Sequence, residues 1–184
     1  MAIQRTDNIG NFNTKINFSC METATTTLQP VIEAFRMQTR LFLNVISDIT
    51  EEHAKAHFGG SPNHIAWITG HLVSTRYMLS MVLGLTVREP YPELFETGKG
   101  IQDDTDYPSM NKLTAGWDDL AEKLIDRLES LTEDELLADP PIQTPIADNT
   151  LRGFITFICH HEAYHIGQLS ILKRHFGYEP LSYS

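Results

Sequence analysis

Apolar residues recur at steps of three and four positions in four separate stretches of the chain, which is the spacing of one face of an amphipathic helix. These stretches run from Leu28 to Ile49, from Ser61 to Leu83, from Ser109 to Ser130 and from Thr150 to Phe176. No convincing pair of strands and no internal repeat accompanies them. The pattern therefore predicts an all-α fold, and four long amphipathic helices favour a four-helix bundle.

Residues suited to helix ends flank these stretches. Typical starting residues stand at Thr26 or Thr27 with Pro30 in the first turn, at Ser61 with Pro62, and at Thr150. Gly84 and Gly177 stand where the second and fourth helices should stop, because glycine readily adopts the left-handed conformation that ends a helix.

The connections between the helices are long. Residues 85–108 and 132–149 contain several prolines, and both segments predict extended connections rather than hairpin turns. Two such segments favour long crossover connections over a simple up-down-up-down order. The 85–108 segment is also long enough to cover a pocket. Residues 50–60 predict a short helical turn followed by a loop.

The helical pattern defines one domain, which we assign to residues 28–184. A chain of 184 residues is long enough to bury a sizeable core. Residues 1–27 are polar, rich in threonine and asparagine, and without a sustained period, so they predict an N-terminal arm or leader. Met21 could be the natural start of the protein.

Charge and cysteine content restrict the partners and the compartment. The formal net charge of −10 argues against a nucleic-acid partner and against docking to an anionic membrane. No apolar run approaches the length of a membrane span, and no secretion signal is evident. Two cysteines, Cys20 and Cys159, make neither a disulfide framework nor a thiolate zinc site. We therefore expect a cytoplasmic protein.

The fourth stretch departs from its own pattern at two positions. Its inward face is apolar except at His161 and His165, which occupy successive turns. Burying an imidazole without a partner is costly, so the interior must hydrogen-bond these rings or coordinate them. Residues four apart on a helix have Cβ atoms about 5–6 Å apart, which lets both rings reach one metal ion at about 2.0–2.1 Å. The spacing predicts metal ligands, with hydrogen-bonded core histidines as the alternative.

The same residues spell His161-Glu162-x-x-His165, the signature of a class of zinc proteases in which the glutamate activates a zinc-bound water. The extended form of that signature requires Gly and His further along, where this chain has Gln168 and Ile171. A distant glutamate ligand would require another helix, and only nineteen residues follow His165. The sequence therefore disfavours a protease.

A third ligand must come from an earlier helix, and His71 is the best candidate. It lies in the middle of the second stretch, beside Ile68 and Leu72, on a stripe that leans inward. His64 shares this stripe but lies two turns away, about 10 Å along the helix axis. Both rings cannot reach the same ion, so we expect His64 to line the mouth of the site or to meet solvent.

The other four histidines are expected outside the site. His160 points about 100° away from His161 around the helix. His175 lies near the end of its helix, where a protonated imidazole interacts favourably with the helix dipole. His53 and His57 form a second His-x-x-x-His pair, but their segment is polar and predicts solvated surface rings.

Two short motifs in this sequence are similar to motifs of a known family. Trp67-Ile68-Thr69-Gly70-His71-Leu72 and His161-Glu162-x-x-His165-x-Gly167-Gln168 are similar to motifs of the DinB-like (YfiT-related) family of predicted metalloenzymes, and the resemblance covers about residues 28–177. It implies a DinB/YfiT-like four-helix bundle with a three-histidine metal site at His71, His161 and His165. It also implies a homodimer, and nothing in the sequence resembles a polymerase.

Three nitrogen ligands leave a coordination position open, which is typical of catalytic sites. The wider family is similar to thiol-dependent transferases and isomerases, so we expect S-transfer or isomerisation on a small molecule with a low-molecular-weight thiol as partner. Two alternatives stay open. One is a non-catalytic dimeric bundle that binds a metal or a small molecule, and the other is a hydrolase that uses metal-activated water.

Neighbours of the ligands are candidates for supporting roles. Glu162 could be a general base or could support the ligands, and Tyr164 could support them as well. Gln168 could orient His165, and Gly167 is expected to permit close helix packing. Three imidazoles suit Zn, Ni, Fe and Cu alike, so the sequence does not identify the divalent ion. We expect Zn or Ni, with Fe as a further candidate. No organic cofactor is predicted.

Overall fold

The computed structural model describes residues 25–59, 63–95, 98–102 and 105–183. Within these residues the chain forms helices and no strand, which confirms the predicted all-α class. In chain order the helices are α1 (Thr25–Ile46), α2 (Glu51–Lys55), α3 (Ile65–Val82), α4 (Pro92–Phe95), α5 (Met110–Ser130), α6 (Glu133–Leu136) and α7 (Leu151–His175). Among the described residues, no helix combines the length and the hydropathy needed to cross a bilayer.

Most helix ends follow the predicted signals. The side chains of Ser109 and Thr150 accept hydrogen bonds from main-chain N–H groups in the first turns of α5 and α7. Gly84 and Gly177 follow α3 and α7 with φ of +85° and +81°. These left-handed positions favour glycine and end both helices as expected.

Three boundaries differ from the prediction. Helix α1 already includes Thr25, so Pro30 lies inside the helix and not in its first turn. In the first turn its missing N–H would have removed no helical hydrogen bond. The same helix ends at Ile46 instead of Ile49, because Asp48 adopts a φ of +63° that cannot continue a helix. Helix α3 begins at Ile65, and its cap is His64 rather than Ser61.

Some expectations fall outside the described residues. Residues 1–24 of the predicted arm are outside the described part of the chain, and this stretch includes Cys20 and the start proposed at Met21. The Ser61-Pro62 pair is outside it as well.

The four long helices form a bundle in which consecutive helices are not always neighbours. Helix α1 makes its main contacts with α5 and α7, and α3 makes its main contacts with the same two helices. Helices α1 and α3 therefore lie diagonally across the bundle, which excludes a simple up-down-up-down order. This arrangement agrees with the predicted long crossover connections.

Two apolar clusters fill the bundle, one towards each end. The first cluster surrounds Phe42, Leu72 and Leu169, and the second surrounds Leu28 and Leu79. Helices α1 and α7 run from the second cluster to the first, whereas α3 and α5 run from the first to the second. The neighbouring helices α3 and α5 are thus parallel, so the 85–108 connection must return along the bundle before α5 can begin.

A layer of buried polar side chains lies where the two clusters meet. Arg76 of α3 and Glu162 of α7 are each 1% exposed, and Gln38 of α1 is 4% exposed. The guanidinium carbon of Arg76 lies 3.4 Å from the centre of a Trp117 ring of α5. All four long helices therefore contribute to this layer, and the candidate ligands of α3 and α7 lie close to it in sequence.

Candidate metal centre

Three imidazole rings meet between α3 and α7. The Nε2 atom of His161 lies 3.1 Å from the Nε2 atom of His71 and 3.1 Å from that of His165. The candidate ligand atoms of all three residues lie within 4.8 Å of one another. The structure thus brings together the three histidines that the sequence singled out, one from the middle of α3 and two from successive turns of α7.

The spacing of these nitrogens fits a shared cation. Bonds of 2.0–2.1 Å to one ion, at tetrahedral or octahedral angles, separate two nitrogens by roughly 2.9–3.4 Å. The two observed separations of 3.1 Å fall within that interval. The group could therefore hold a metal ion.

Burial keeps these rings neutral. It lowers the pKa of His71 to about 4 and that of His161 to about 3, and the neighbouring His165 adds to both shifts. Burial also lowers the pKa of His165. A metal ligand must present a free lone pair, and neutral imidazoles offer one at neutral pH without first losing a proton.

A hydrogen-bonded chain orients His165. Its Nδ1 lies 2.7 Å from Oε1 of Gln168, and the amide nitrogen of Gln168 donates to the hydroxyl of Tyr164 at 3.0 Å. An amide oxygen can only accept, so Nδ1 carries the proton and Nε2 presents its lone pair to the other two rings. These contacts are those expected if Gln168 orients His165 rather than a ligand, and Tyr164 contacts Gln168 in turn.

His71 and His161 are held differently. The ring of Trp67 stacks on that of His71, with centroids 5.0 Å apart and planes 10° apart. The Nδ1 atoms of His71 and His161 are buried, and neither makes a well-formed hydrogen bond to a described residue. A backbone group of Phe95 close to His71 nevertheless opposes the lowering of its pKa, so this contact and packing together orient the ring of His71.

The close approach of Phe95 to α3 explains why position 70, directly before His71, is a glycine. A Cβ atom at this position would lie 2.0 Å from Cζ and 2.3 Å from Cε1 of Phe95. The ring of Phe95, which is 2% exposed, therefore packs directly on the backbone of α3. This contact attaches the short helix α4, and with it part of the 85–108 connection, to the site.

Both carboxylate oxygens of Glu162 are engaged by one buried partner. Both of its oxygens accept hydrogen bonds from Arg76, at 2.9 Å from Nε and 2.7 Å from Nη2. Burial raises the pKa of Glu162, and the ion pair with Arg76 opposes that rise. The general-base role predicted for Glu162 stays a prediction, and the observed contacts give this residue a structural partner.

A cavity of about 330 Å³ opens beside His71. One wall comes from α3 and the other from the start of the 85–108 connection, which fulfils the expectation that this connection covers a pocket. The lining residues are His71, Ser74, Thr75, Met78, Glu89, Pro92, Glu93 and Phe95.

The other histidines lie outside the three-ring group, as predicted, but two differ in their surroundings. His64 is 4% exposed and its Nδ1 accepts the main-chain N–H of Trp67, so it is a buried helix cap and not a solvated ring. His53 is not a free surface residue, because it stacks on Phe176 and its Nδ1 lies 2.8 Å from the hydroxyl of Tyr178. His57, His160 and His175 are exposed.

The sequence reasoning missed three contributors: Arg76, Phe95 and Glu89. Arg76 is the single Lys, Arg, Asp or Glu residue within Ile65–Val82, and an isolated charge in an apolar helix could have indicated a buried partner. No comparable signal distinguishes Phe95 or Glu89, because their positions depend on how the 85–108 connection folds back on α3.

The family model of the DinB superfamily matches residues 22–169, which is most of the chain and includes all three histidines. The chain belongs to the DinB superfamily. No protein with a curated description matches it. The superfamily assignment agrees with the helical fold and with a histidine group that could hold a metal ion. It confirms the family expected from the sequence motifs.

Proposed function

We propose that this DinB superfamily protein is a metal-dependent enzyme that acts on a small molecule, by thiol-dependent S-transfer or isomerisation. The observation that carries the proposal is the meeting of three neutral imidazole nitrogens at the edge of a cavity. A purely structural zinc site has four protein ligands, whereas three ligands leave room for an exchangeable one.

The proposed ion is Zn²⁺ or Ni²⁺, with Fe²⁺ as a further candidate, because a set of three imidazoles suits each of them. When bound, such an ion acts as a Lewis acid and lowers the pKa of a water or thiol that reaches it. The ligands in this proposal are His71, His161 and His165.

The protein's own groups supply orientation and shelter. Gln168 fixes the tautomer of His165, Trp67 stacks on His71, and Phe95 holds the α4 wall of the cavity against Gly70. We assign Glu162 to positioning, because its ion pair with Arg76 joins α7 to α3 beside the ligands. Defined partners around a ligand typically tune its affinity and orientation.

The thiol partner rests on the similarity of the wider family to thiol-dependent transferases and isomerases. In S-transfer a low-molecular-weight thiol loses its proton to solvent, its sulfur forms a bond to an electrophilic carbon, and a leaving group departs from that carbon with the bonding electrons. The cavity volume of about 330 Å³ suits a small substrate.

A matched activity screen tests the proposal. Protein loaded with Zn²⁺ or Ni²⁺ would be assayed with small thiols and model electrophiles, beside His161→Ala and the control His160→Ala. We expect metal- and thiol-dependent turnover in the wild type and in His160→Ala, and none above background in His161→Ala. Turnover without a thiol would favour the hydrolase alternative. Metal binding without any turnover would favour a bundle that only binds.

We also propose a cytoplasmic homodimer. Support for the dimer comes from the outer face of α7, where Tyr164 is 58% and Ile171 66% exposed. Gly167 lies between them, and no atom of the described residues lies within 4 Å of where its Cβ would be. No described helix of this chain packs on Gly167, so the expected close helix packing stays a prediction and would involve a second copy. Sedimentation equilibrium would measure the oligomeric state.

A further inference from the structure

The cavity beside the histidines has a one-sided charge. Among the described residues, its lining contains two carboxylates, Glu89 and Glu93, and neither a lysine nor an arginine. Both carboxylates belong to the 85–108 connection, and Glu89 contacts α3 directly through Ser74. A cavity lined by one sign of charge attracts ligands of the opposite sign.

Neither carboxylate is neutralised by the described part of the chain. No ion pair among those residues involves Glu89 or Glu93. The amine of Lys99 donates to the main-chain oxygen of Glu93. The negative charge on this wall is therefore available to a ligand.

Glu89 is held in place for such a contact. One of its carboxylate oxygens accepts a short hydrogen bond from the hydroxyl of Ser74, which is itself 8% exposed. This bond uses Oε1 and fixes the carboxylate against α3. A charged group that is already positioned loses little side-chain freedom when it binds a ligand.

The apolar part of the lining suits the rest of such a ligand. Met78, Pro92 and Phe95 give the cavity apolar surface beside the carboxylates. An aromatic ring and a methionine are favourable neighbours for a cationic group attached to an apolar body. Neither Glu89 nor Glu93 belongs to the group of ligand atoms formed by the three histidines, so the carboxylates are a separate recognition element.

From this arrangement we infer that the substrate carries a positively charged group, an ammonium or a guanidinium, next to a short apolar portion, and that Glu89 binds the charged group. The inference rests on the proposed function, because it identifies this cavity as the substrate site of the histidine centre. It adds the charge of the substrate, which the metal site alone does not indicate.

Three probes of nearly equal size and different charge test the inference: benzylamine, benzyl alcohol and benzoate. Their affinities would be measured by calorimetry at pH 7.5 and low salt, with the full chain. We expect benzylamine, which is protonated at this pH, to bind about tenfold more tightly than benzyl alcohol, and benzoate to bind more weakly than both. Added salt should reduce the preference for the amine.

Conservative variants locate the effect. Glu89→Gln keeps the shape and an oxygen that can accept from Ser74, so it should fold while losing most of the preference for benzylamine. Glu93→Gln should lose less, because Glu93 is exposed to solvent. Glu122→Gln removes an exposed carboxylate of α5 outside the cavity lining and should keep the full preference.

Two results would overturn the inference. The first is wild-type protein that binds benzyl alcohol or benzoate as tightly as benzylamine, or that binds no benzylamine at millimolar concentration. The second is Glu89→Gln protein that keeps the wild-type preference. Thermal unfolding of each variant establishes that it is folded before its affinities are compared.

The experiment separates this inference from the proposed function. Metal content and amine preference are measured on the same preparations, including His161→Ala. A wild type that binds metal but shows no amine preference contradicts the inference alone. A wild type that prefers the amine but binds no metal supports a cation-selective cavity and contradicts the metal-dependent function.

Discussion

Arg76 and Glu162 form a bidentate ion pair in the interior of the bundle, with both side chains only 1% exposed. Arg76 follows His71 by five positions on α3, and Glu162 lies directly after His161 on α7. The pair therefore fixes the register of the two helices at the point where the candidate ligands must meet. The ring of Trp117 covers the guanidinium from the side of α5.

Breaking this ion pair on one side should be strongly destabilising. Arg76→Leu or Glu162→Leu leaves a buried charge without its partner, and we expect each to lower the free energy of unfolding by about 3–5 kcal/mol. The double variant removes both charges, so its loss should be smaller than the sum of the two single losses. Urea denaturation of the four proteins measures this.

The exposed pair between Arg36 and Glu129 is a matched control. Its side chains are 36% and 40% exposed, so Arg36→Leu should change the free energy of unfolding by only about 0–1 kcal/mol. If the loss of stability in the double variant equals the sum of the losses in Arg76→Leu and Glu162→Leu, the Arg76–Glu162 contact is not a coupled pair.

Gly70 and Gly167 provide a contrasting pair of glycine substitutions. In Gly70→Ala the new methyl group would collide with the ring of Phe95, so the ring must move and we expect a loss of about 1–3 kcal/mol. In Gly167→Ala the methyl group meets no atom, and the greater helix propensity of alanine should add about 0.5–1 kcal/mol. Thermal and urea unfolding would compare the two. Similar effects from both substitutions would contradict the close Phe95 contact.

Gln168 should influence metal affinity through His165. Gln168→Ala removes the acceptor that fixes the ring and its tautomer, and we expect metal affinity to fall by about 10–100-fold. Tyr164→Phe removes only the next contact in the chain, so its effect should be smaller. Competition titrations with a chromophoric chelator give both affinities. An unchanged affinity in Gln168→Ala would mean that packing alone orients His165.

The metal-free protein should lose stability as the solution is acidified. The folded-state pKa values, about 4 for His71 and about 3 for His161, lie below the ordinary value of 6.5. Between these values the unfolded chain binds more protons than the folded one, so stability rises with pH. The stability that depends on neutral His71 and His161 is fully present above pH 6.5. It is lost as the pH falls towards 4 and then 3.

Urea midpoints of chelator-treated protein, measured from pH 7.5 to pH 4, would test this pH dependence. We expect the urea concentration at the midpoint to decrease as the pH is lowered below 6.5, the ordinary pKa of histidine. The double variant His71→Leu, His161→Leu should show a weaker dependence, whereas the exposed control His160→Ala should keep the wild-type slope. A double variant with the wild-type slope would place the responsible groups elsewhere.

The parts of the molecule that depend on local sequence patterns could be predicted. The four long helices follow from hydrophobic spacing, and their ends at Thr150, Gly84 and Gly177 follow from residues with strong conformational preferences. The meeting of His161 and His165 follows from a separation of four on one helix. His71 was predicted because its stripe leans inward.

The parts that depend on distant contacts could not be predicted. Asp48 ends α1 in a left-handed conformation, which no local pattern demanded. His64 caps α3 and its ring packs against the buried ring of Tyr107, so an expected surface ring became a buried helix cap. Glu162 was judged by its position between two ligands, although its contacts are decided by Arg76 on another helix. Pairings between helices set these details, and a single sequence does not record them.

The metal content of the purified protein shows whether His71, His161 and His165 hold a cation. Protein prepared without added metal or chelator, then loaded with Zn²⁺ or Ni²⁺ and desalted, would be analysed for its elements alongside His71→Ala, His161→Ala, His165→Ala and the control His160→Ala. We expect about one ion per chain in the wild type and the control, and close to none in the three ligand variants. A wild type that retains no ion, or a His71→Ala variant that retains as much as the wild type, would contradict it.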